Sequence, residues 1–272
     1  MATTDKTALV TGASAGLGAE FTKLFAADGH DVVLVARRRD KLETLAREIE
    51  KQHSVRATVL AEDLTVAGAA ERIEKALADR GIPIEFLVNN AGFATTGPFA
   101  GADLGRELAL MTVNVTTLVH LTRLLLPAMI ARKSGRILNI GSTAGFVPGP
   151  FMASYYASKA FVNSFTQALG YELRGTGVTA TVSCPGATAT EFAAVAGNDR
   201  SRLFQRAVMG APEVAAHAYR AMMRGHPMAI PAIMNKLQIQ SLRFAPRSMT
   251  IAMAASLNQS SDVPPIPASS AR

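Results

Sequence analysis

The 272-residue chain has one cysteine and no tryptophan. A single thiol excludes an internal disulfide and suits a reducing compartment. Cys184 follows an apolar run and is expected to be buried. The five histidines, His30, His53, His120, His217 and His226, are scattered, so no metal site is expected. Aromatic residues make up only 6% of the chain, too few to give the arginines stacking platforms. A net charge of +7 therefore reads as a generic basic surface, and no nucleic-acid partner is expected. Long apolar runs are also missing. The longest uncharged stretch, residues 137–158, is broken by Gly141, Gly145, Pro148, Gly149 and Pro150 and would not make a membrane helix. The first residues, MATTDKTALV, lack a basic flank followed by a long apolar run, so no signal peptide is expected and the expected location is cytoplasmic. No internal repeat stands out.

What is present is a globular pattern, 49% apolar, long enough for one large core. Strands alternate with helices through residue 184, which implies an α/β fold with a doubly wound parallel sheet and helices on both faces. This single domain is expected over 1–231. A C-terminal helical extension follows over 232–257, and a Ser- and Pro-rich tail, expected to be disordered, over 258–272.

The first strand, Lys6 to Val10, runs into Thr11-Gly12-Ala13-Ser14-Ala15-Gly16-Leu17-Gly18 and then a helical pattern. A glycine-rich turn between strand and helix is where a dinucleotide pyrophosphate sits: backbone can approach closely, and the helix start offers free N–H donors. The spacing is G-x-x-x-G-x-G, so the three glycines alone are weak evidence. The second strand, Val32 to Ala36, ends without the carboxylate that would hold a ribose 2′-hydroxyl. Arg37, Arg38 and Arg39 follow instead, and guanidinium forks can grip a 2′-phosphate. NADP(H) is expected over NAD(H), with Arg37 the first contact, Arg38 the second and Arg39 solvated.

Tyr155 and Lys159 share one face of a helix expected over 154–174. A phenol has a pKa of about 10, and a neighbouring ammonium favours the phenolate. Ser142, just beyond the apolar run 137–140, brings a hydroxyl to the same point. The three together suit proton transfer to or from a carbonyl oxygen. Tyr156 lacks the four-residue offset and is expected to pack.

Taken together, these pieces resemble the classical short-chain dehydrogenases/reductases, over Lys6 to Pro231. The resemblance implies a Rossmann-type fold and an NAD(P)-dependent oxidoreductase acting on a ketone, an aldehyde or the corresponding alcohol. Further matching motifs are Asp63-Leu64 as the adenine contact, Asn89-Asn90-Ala91-Gly92 as the strand end, and Asn114 as the helix asparagine. Pro185-Gly186-Ala187-Thr188-Ala189-Thr190 matches the segment that covers the nicotinamide. By the same resemblance, Asn114, Ser142, Tyr155 and Lys159 form the catalytic set. Lys159 also binds the nicotinamide ribose, and Asn114 supports a water in a proton relay. The alternatives are a non-catalytic NADP(H)-binding regulator of the same fold and a sugar-nucleotide enzyme of the extended relatives. The intact set argues against the first, and the short C-terminal part against the second.

A lid over the substrate is expected across 188–211. Phe93, Phe146, Phe151, Phe192, Leu203, Phe204 and Met209 are expected to face the nicotinamide and favour an apolar substrate. Helices near 103–132 and 154–174 carry apolar residues on more than one face, which points to a homodimer or homotetramer. The extension is expected to pack on the body or on a subunit neighbour; a basic amphipathic membrane contact is the less favoured reading.

Overall fold

The apolar runs of the first 184 residues become the strands of one parallel sheet. The computed structural model describes residues 4–189, 208–242 and 244–259. Its strands are β1 (Thr4–Thr11), β2 (His30–Ala36), β3 (Ala57–Ala61), β4 (Ile84–Asn89), β5 (Gly135–Ile140) and β6 (Val178–Ser183). Two short strands, β7 (Thr188–Ala189) and β8 (Met209–Gly210), pair with each other, and β9 (Met228–Ala229) joins the sheet edge. The sheet order is β3-β2-β1-β4-β5-β6-β9. Chain order reverses between β1 and β4, and the crevice beyond their carboxyl ends is where ligands bind in such sheets.

Alternation along each strand divides the core in two. Ala8, Val10, Val32 and Leu34 point to one face, where Phe21 and Phe25 of α1 (Gly16–Ala27), Leu42 and Ile49 of α2 (Arg39–His53) and Ala218 and Met222 of α7 (Ala211–Met223) cover them. Leu9, Val33 and Val35 point to the other. There they meet α3 (Ala69–Ala78), α5 (Leu118–Ala131) and α6 (Ala153–Glu172). With both faces covered, the strands read as near-continuous hydrophobic runs rather than alternating ones.

α4 (Leu104–Met111) continues through a π-helical segment, Thr112–Thr117, into α5. This helical run, Leu104–Ala131, is apolar and long enough to span a membrane by length and composition alone, with a mean hydropathy of 1.4. Its residues Leu110, Val113, Leu118 and Leu121 are buried. Leu104, Leu108 and Met111 are exposed, as is Phe161 on α6.

The extension forms two helices, α8 (Ile233–Ser241) and α9 (Arg247–Asn258), separated at Pro246. Residues 190–207, which include Thr190, Phe192, Leu203 and Phe204, lie outside the described residues, as do 260–272. α9 is tied to the body by its last residue. Tyr156 Oη donates to Asn258 Oδ1 at 2.9 Å, and Asn258 Nδ2 donates to the Pro150 carbonyl at 3.0 Å. Asn258 is fully buried. Tyr156 does pack, and it also anchors the extension beside the loop before α6.

Replacing Asn258 by Ala leaves a buried hydroxyl unpaired, a loss of about 1–3 kcal/mol. For a chain of this size each kcal/mol lowers Tm by about 2–4 °C. A thermal melt of Asn258→Ala should show that drop; an unchanged Tm would contradict the anchoring role.

Candidate active site

The turn after β1 is built for close approach. Gly12 has a φ of +68° and donates its N–H to the Val35 carbonyl at 2.8 Å. A Cβ on Gly12 would lie 2.8 Å from Asn90 Nδ2, and a Cβ on Gly18 would strike the Gly12 carbonyl oxygen. Gly16, with a φ of +55°, opens α1. Thr11 Oγ1 accepts from the N–H groups of Asn90 and Ala91, both at 3.0 Å, and Asn90 Nδ2 donates to the Thr11 carbonyl at 2.8 Å. Turn and Asn90-Ala91-Gly92 strand end are therefore one rigid unit. The first turn of α1 has neither a side-chain cap nor an acidic residue. Its N–H donors and partial positive charge are left for an anion. A dinucleotide pyrophosphate fits this cradle.

At the adenosine side, Arg38 donates from Nε and Nη2 to Ser14 Oγ, at 3.3 and 3.0 Å. Arg37 is exposed after Ala36. Burial works to raise the pKa of Asp63, but hydrogen bonds from the Thr65 N–H and hydroxyl, with help from the Arg37 charge, hold the carboxyl below its ordinary value. Leu64 is buried and its carbonyl accepts from Thr117 Oγ1 at 3.0 Å.

α6 presents Tyr155, Lys159 and Asn163 on one face against the end of β5. Lys159 is buried, and its ammonium donates to the Ile140 carbonyl at 2.7 Å. It lies 5.8 Å from the centroid of the Tyr155 ring. Ser142 caps a short 3₁₀ turn: its Oγ accepts from Ala144 N–H at 3.0 Å and donates to the Pro185 carbonyl at 3.4 Å. The same hydroxyl is hydrogen-bonded to the Tyr155 phenol. Asn114 sits in the π segment with its side chain fully engaged. Oδ1 accepts from Phe93 N–H at 3.1 Å, and Nδ2 donates to the Phe93 carbonyl at 3.0 Å and to Ser158 Oγ at 3.1 Å. Ser158 in turn donates to the Tyr155 carbonyl at 2.7 Å, so Asn114 braces the helix turn that carries the tyrosine. A π segment at such a place is a frequent companion of functional sites.

Lys159 does not draw the phenol down, as its spacing suggests. Burial dominates both groups. It pushes Tyr155 up to about 12, against the pull of the Ser142 hydrogen bond, and pushes Lys159 down to about 8. The ammonium is directed at the strand carbonyl rather than at the phenol oxygen, and both groups have lost water. Tyr155 is thus held as a protonated donor.

These residues line one cavity of about 450 Å³ that runs from the glycine turn to the extension. Gly12, Gly16 and Leu17 form one end with Asn90, Ala91 and Gly92; Ser142, Tyr155 and Lys159 lie beyond them. Pro185, Gly186 and Thr188 close another side, with the Thr188 hydroxyl donating to the Gly186 carbonyl at 3.1 Å. Ser14, Gly18, Arg37, Arg38, Asp63, Leu64 and Asn114 stand outside this lining. Phe93, Phe146 and Phe151 do not line it either. Phe93 and Phe146 pack against core clusters, and Phe151 sits in the loop before α6 at a φ of +65°. The apolar wall comes instead from Val147 and Met152 and from Ile239, Leu242, Met253, Ala254 and Leu257 of the extension, with Asn235 and Gln238 as its polar members.

Asn163 also carries weight that the motifs do not announce. Nδ2 donates to the Ser142 carbonyl at 3.1 Å, and Oδ1 accepts from Cys184 Sγ at 3.3 Å. The only signal for it is its four-residue offset from Lys159. Cys184 is buried as expected, and burial raises its thiol to about 12.

A sequence model of the short chain dehydrogenase family matches residues 6–201. The very-long-chain 3-oxoacyl-CoA reductase of Aspergillus fumigatus is 40% identical over 175 residues, 63% of this chain and 50% of that protein. Across the curated relatives compared, the chain spans 50–62% of their length. Among solved structures, a short-chain dehydrogenase from Sphingobium yanoikuyae in complex with NADPH is 33% identical, with a TM-score of 0.80 over 94% of this chain and 99% of that one. A bulky-bulky ketone specific alcohol dehydrogenase from Comamonas testosteroni is 30% identical, with a TM-score of 0.75 over 88% of this chain and 92% of that one.

Proposed function

Because the chain belongs to the short-chain dehydrogenase family, we propose that it moves a hydride between NADP(H) and the carbonyl or alcohol carbon of a bulky apolar substrate. The observation that carries this reading is the convergence of Ser142, Tyr155 and Lys159 in an apolar cavity continuous with the glycine turn. The NADP(H) preference is supported by Ala36, where a 2′-hydroxyl-binding acid would stand, and by the two arginines after it. It is supported also by the NADPH of the Sphingobium structure. The apolar substrate is supported by the aliphatic wall from the extension and by the names of the Aspergillus and Comamonas relatives.

In the reducing direction a bound dihydronicotinamide would supply the hydride for the carbonyl carbon. The protein supplies the rest. The cradle of Gly12, Gly16, Leu17 and Asn90 would hold the pyrophosphate, and Lys159 the ribose. Ser142 exchanges its long 3.4 Å bond to the Pro185 carbonyl for the substrate oxygen and so places it beside the phenol. Tyr155 Oη then gives that oxygen its proton, and the Ser142 hydroxyl, whose hydrogen bond favours the ionised phenol, eases the transfer. Oxidation runs the same steps backwards. Leu104, Leu108, Met111 and Phe161, exposed on α4 and α6, would meet a second copy of the chain.

Assay of NADPH and NADH oxidation with bulky aryl and alkyl ketones tests the reading. NADPH should be preferred, and Arg37→Asp should erode that preference about 10- to 100-fold, the range for hydrogen bonds to a charged group. An unmoved preference would place the phosphate grip on another residue, with Arg38 the next to replace.

A second expectation follows from titration. Reduction needs the Tyr155 proton and the charged ammonium with which Lys159 would hold the ribose. Burial lowers the Lys159 pKa to about 8, so its charge is present below that pH and lost above it, while Tyr155, at about 12, keeps its proton throughout. The alkaline limb of kcat/KM for reduction should therefore fall near the lysine's value. A profile flat to about pH 10, the ordinary phenol range, would contradict this assignment.

A further inference from the structure

The two helices of the extension carry apolar side chains on more than one side. On α8 the inner face, Asn235, Gln238, Ile239 and Leu242, lines the cavity. The outer face is Ile233, Met234 and Leu237, exposed by 73%, 70% and 60%. The turn between the helices carries Phe244 at 90% exposure, and α9 adds Met249 at 62%. Here Thr250, Ala254 and Asn258 are buried and hold α9 in place, yet the outer side is bare. Ile233, Met234 and Leu237 lie on adjoining turns of one helix, and exposed apolar side chains grouped in this way mark an interaction site.

The charges around the patch choose among occupants. Lys236 and Arg247 stand on the two helices, with Arg243 between them in sequence, and no Asp or Glu occurs anywhere from residue 214 to residue 261. The field is felt nearby: His217, whose pKa burial lowers, is lowered further by Lys236 and Arg220. A two-fold contact between copies brings the same surface against itself. That would oppose cations to cations with no carboxylate in the segment to pair them. An anionic bilayer satisfies both features, because phosphates meet the cations while Leu237, Phe244 and Met249 enter the acyl boundary. We propose that the outer face of α8 and α9 docks this protein on an anionic lipid surface. The docking does not depend on the hydride reading. Its consequence does rest on that reading: Ile239 and Leu242 of α8 and Met253 of α9 line the cavity, so the helices that carry the bare patch also wall the substrate site. An apolar substrate could pass from bilayer to cavity along side chains rather than through water.

Sedimentation of the full chain with phosphatidylcholine vesicles, with and without phosphatidylglycerol, tests the docking. The chain should partition onto the phosphatidylglycerol vesicles and be released by salt. Each of Lys236→Gln and Arg247→Gln should weaken partitioning about fivefold. The pair Leu237→Ser and Phe244→Ser, neither of which lines the cavity, should abolish partitioning while the thermal melt stays cooperative. Three results would overturn the proposal. The chain could sediment with neither vesicle; the serine pair could partition as well as the parent; or, without lipid, light scattering could show a dimer that the serine pair dissociates, making the patch a contact between copies. Vesicle binding without any carbonyl reduction would leave the docking standing and remove only its link to substrate entry.

Discussion

A buried ammonium at the end of β5 sets the terms for the rest of the site. Taking a lysine charge out of water costs several kcal/mol unless it is hydrogen-bonded. Lys159 meets that demand with the Ile140 carbonyl at 2.7 Å. The bond requires α6 to lie hard against the strand end, and the glycines there follow from it. A Cβ on Gly145 would come within 2.6 Å of the Lys159 carbonyl oxygen, and one on Gly141 would strike Asn163. A Cβ on Gly92 would lie 2.9 Å from Asn114 Oδ1. Ser142 is fixed by the same closeness, since Asn163 holds its carbonyl from one turn further along α6. The tyrosine inherits its position from its neighbours: Asn114 and Ser158 hold its backbone, and the buried setting keeps its proton in place.

The cavity divides between two parts of the chain with different physics. Its nucleotide end is made of backbone: glycine turns, strand ends and an uncapped helix start, where position matters and side-chain identity hardly enters. Its other end is made of side chains from helices added after the sheet is complete. Ile239, Leu242, Met253 and Leu257 set its size and polarity, and Tyr156 ties those helices to the residue beside the reacting phenol. The two ends meet at α9, where Ala254 shares a buried cluster with Met152 and Tyr156, and Tyr155 packs against it.

Much of this was legible in the sequence. Apolar runs separated by amphipathic stretches dictate a parallel sheet, and the first two strands lie within two residues of their expected places; β2, for example, begins at His30 rather than Val32 and ends at Ala36 as expected. The glycine turn, the Asn-Asn-Ala-Gly strand end and the Tyr-x-x-x-Lys offset are local patterns with local geometric meaning, and they converge on one cavity. Legibility failed where tertiary context decides. Phe93 and Phe146 read as pocket aromatics because they follow motif residues, but side-chain direction sends them into the core. Ile239 and Met253 carried no motif, and only the return of the extension over the sheet makes them pocket walls. The tyrosine pKa moved opposite to expectation because sequence spacing reports proximity and says nothing of desolvation.

The central claim is that Tyr155 is the proton donor in a site that otherwise binds and orients. Single-turnover mixing of the NADPH complex with a bulky ketone, comparing the parent with Tyr155→Phe, tests it directly. The account predicts that the phenylalanine variant still binds NADPH, seen as cofactor fluorescence, while hydride transfer slows by about 10²- to 10⁴-fold, the usual contribution of a general acid. Hydride transfer at more than half the parent rate would contradict it.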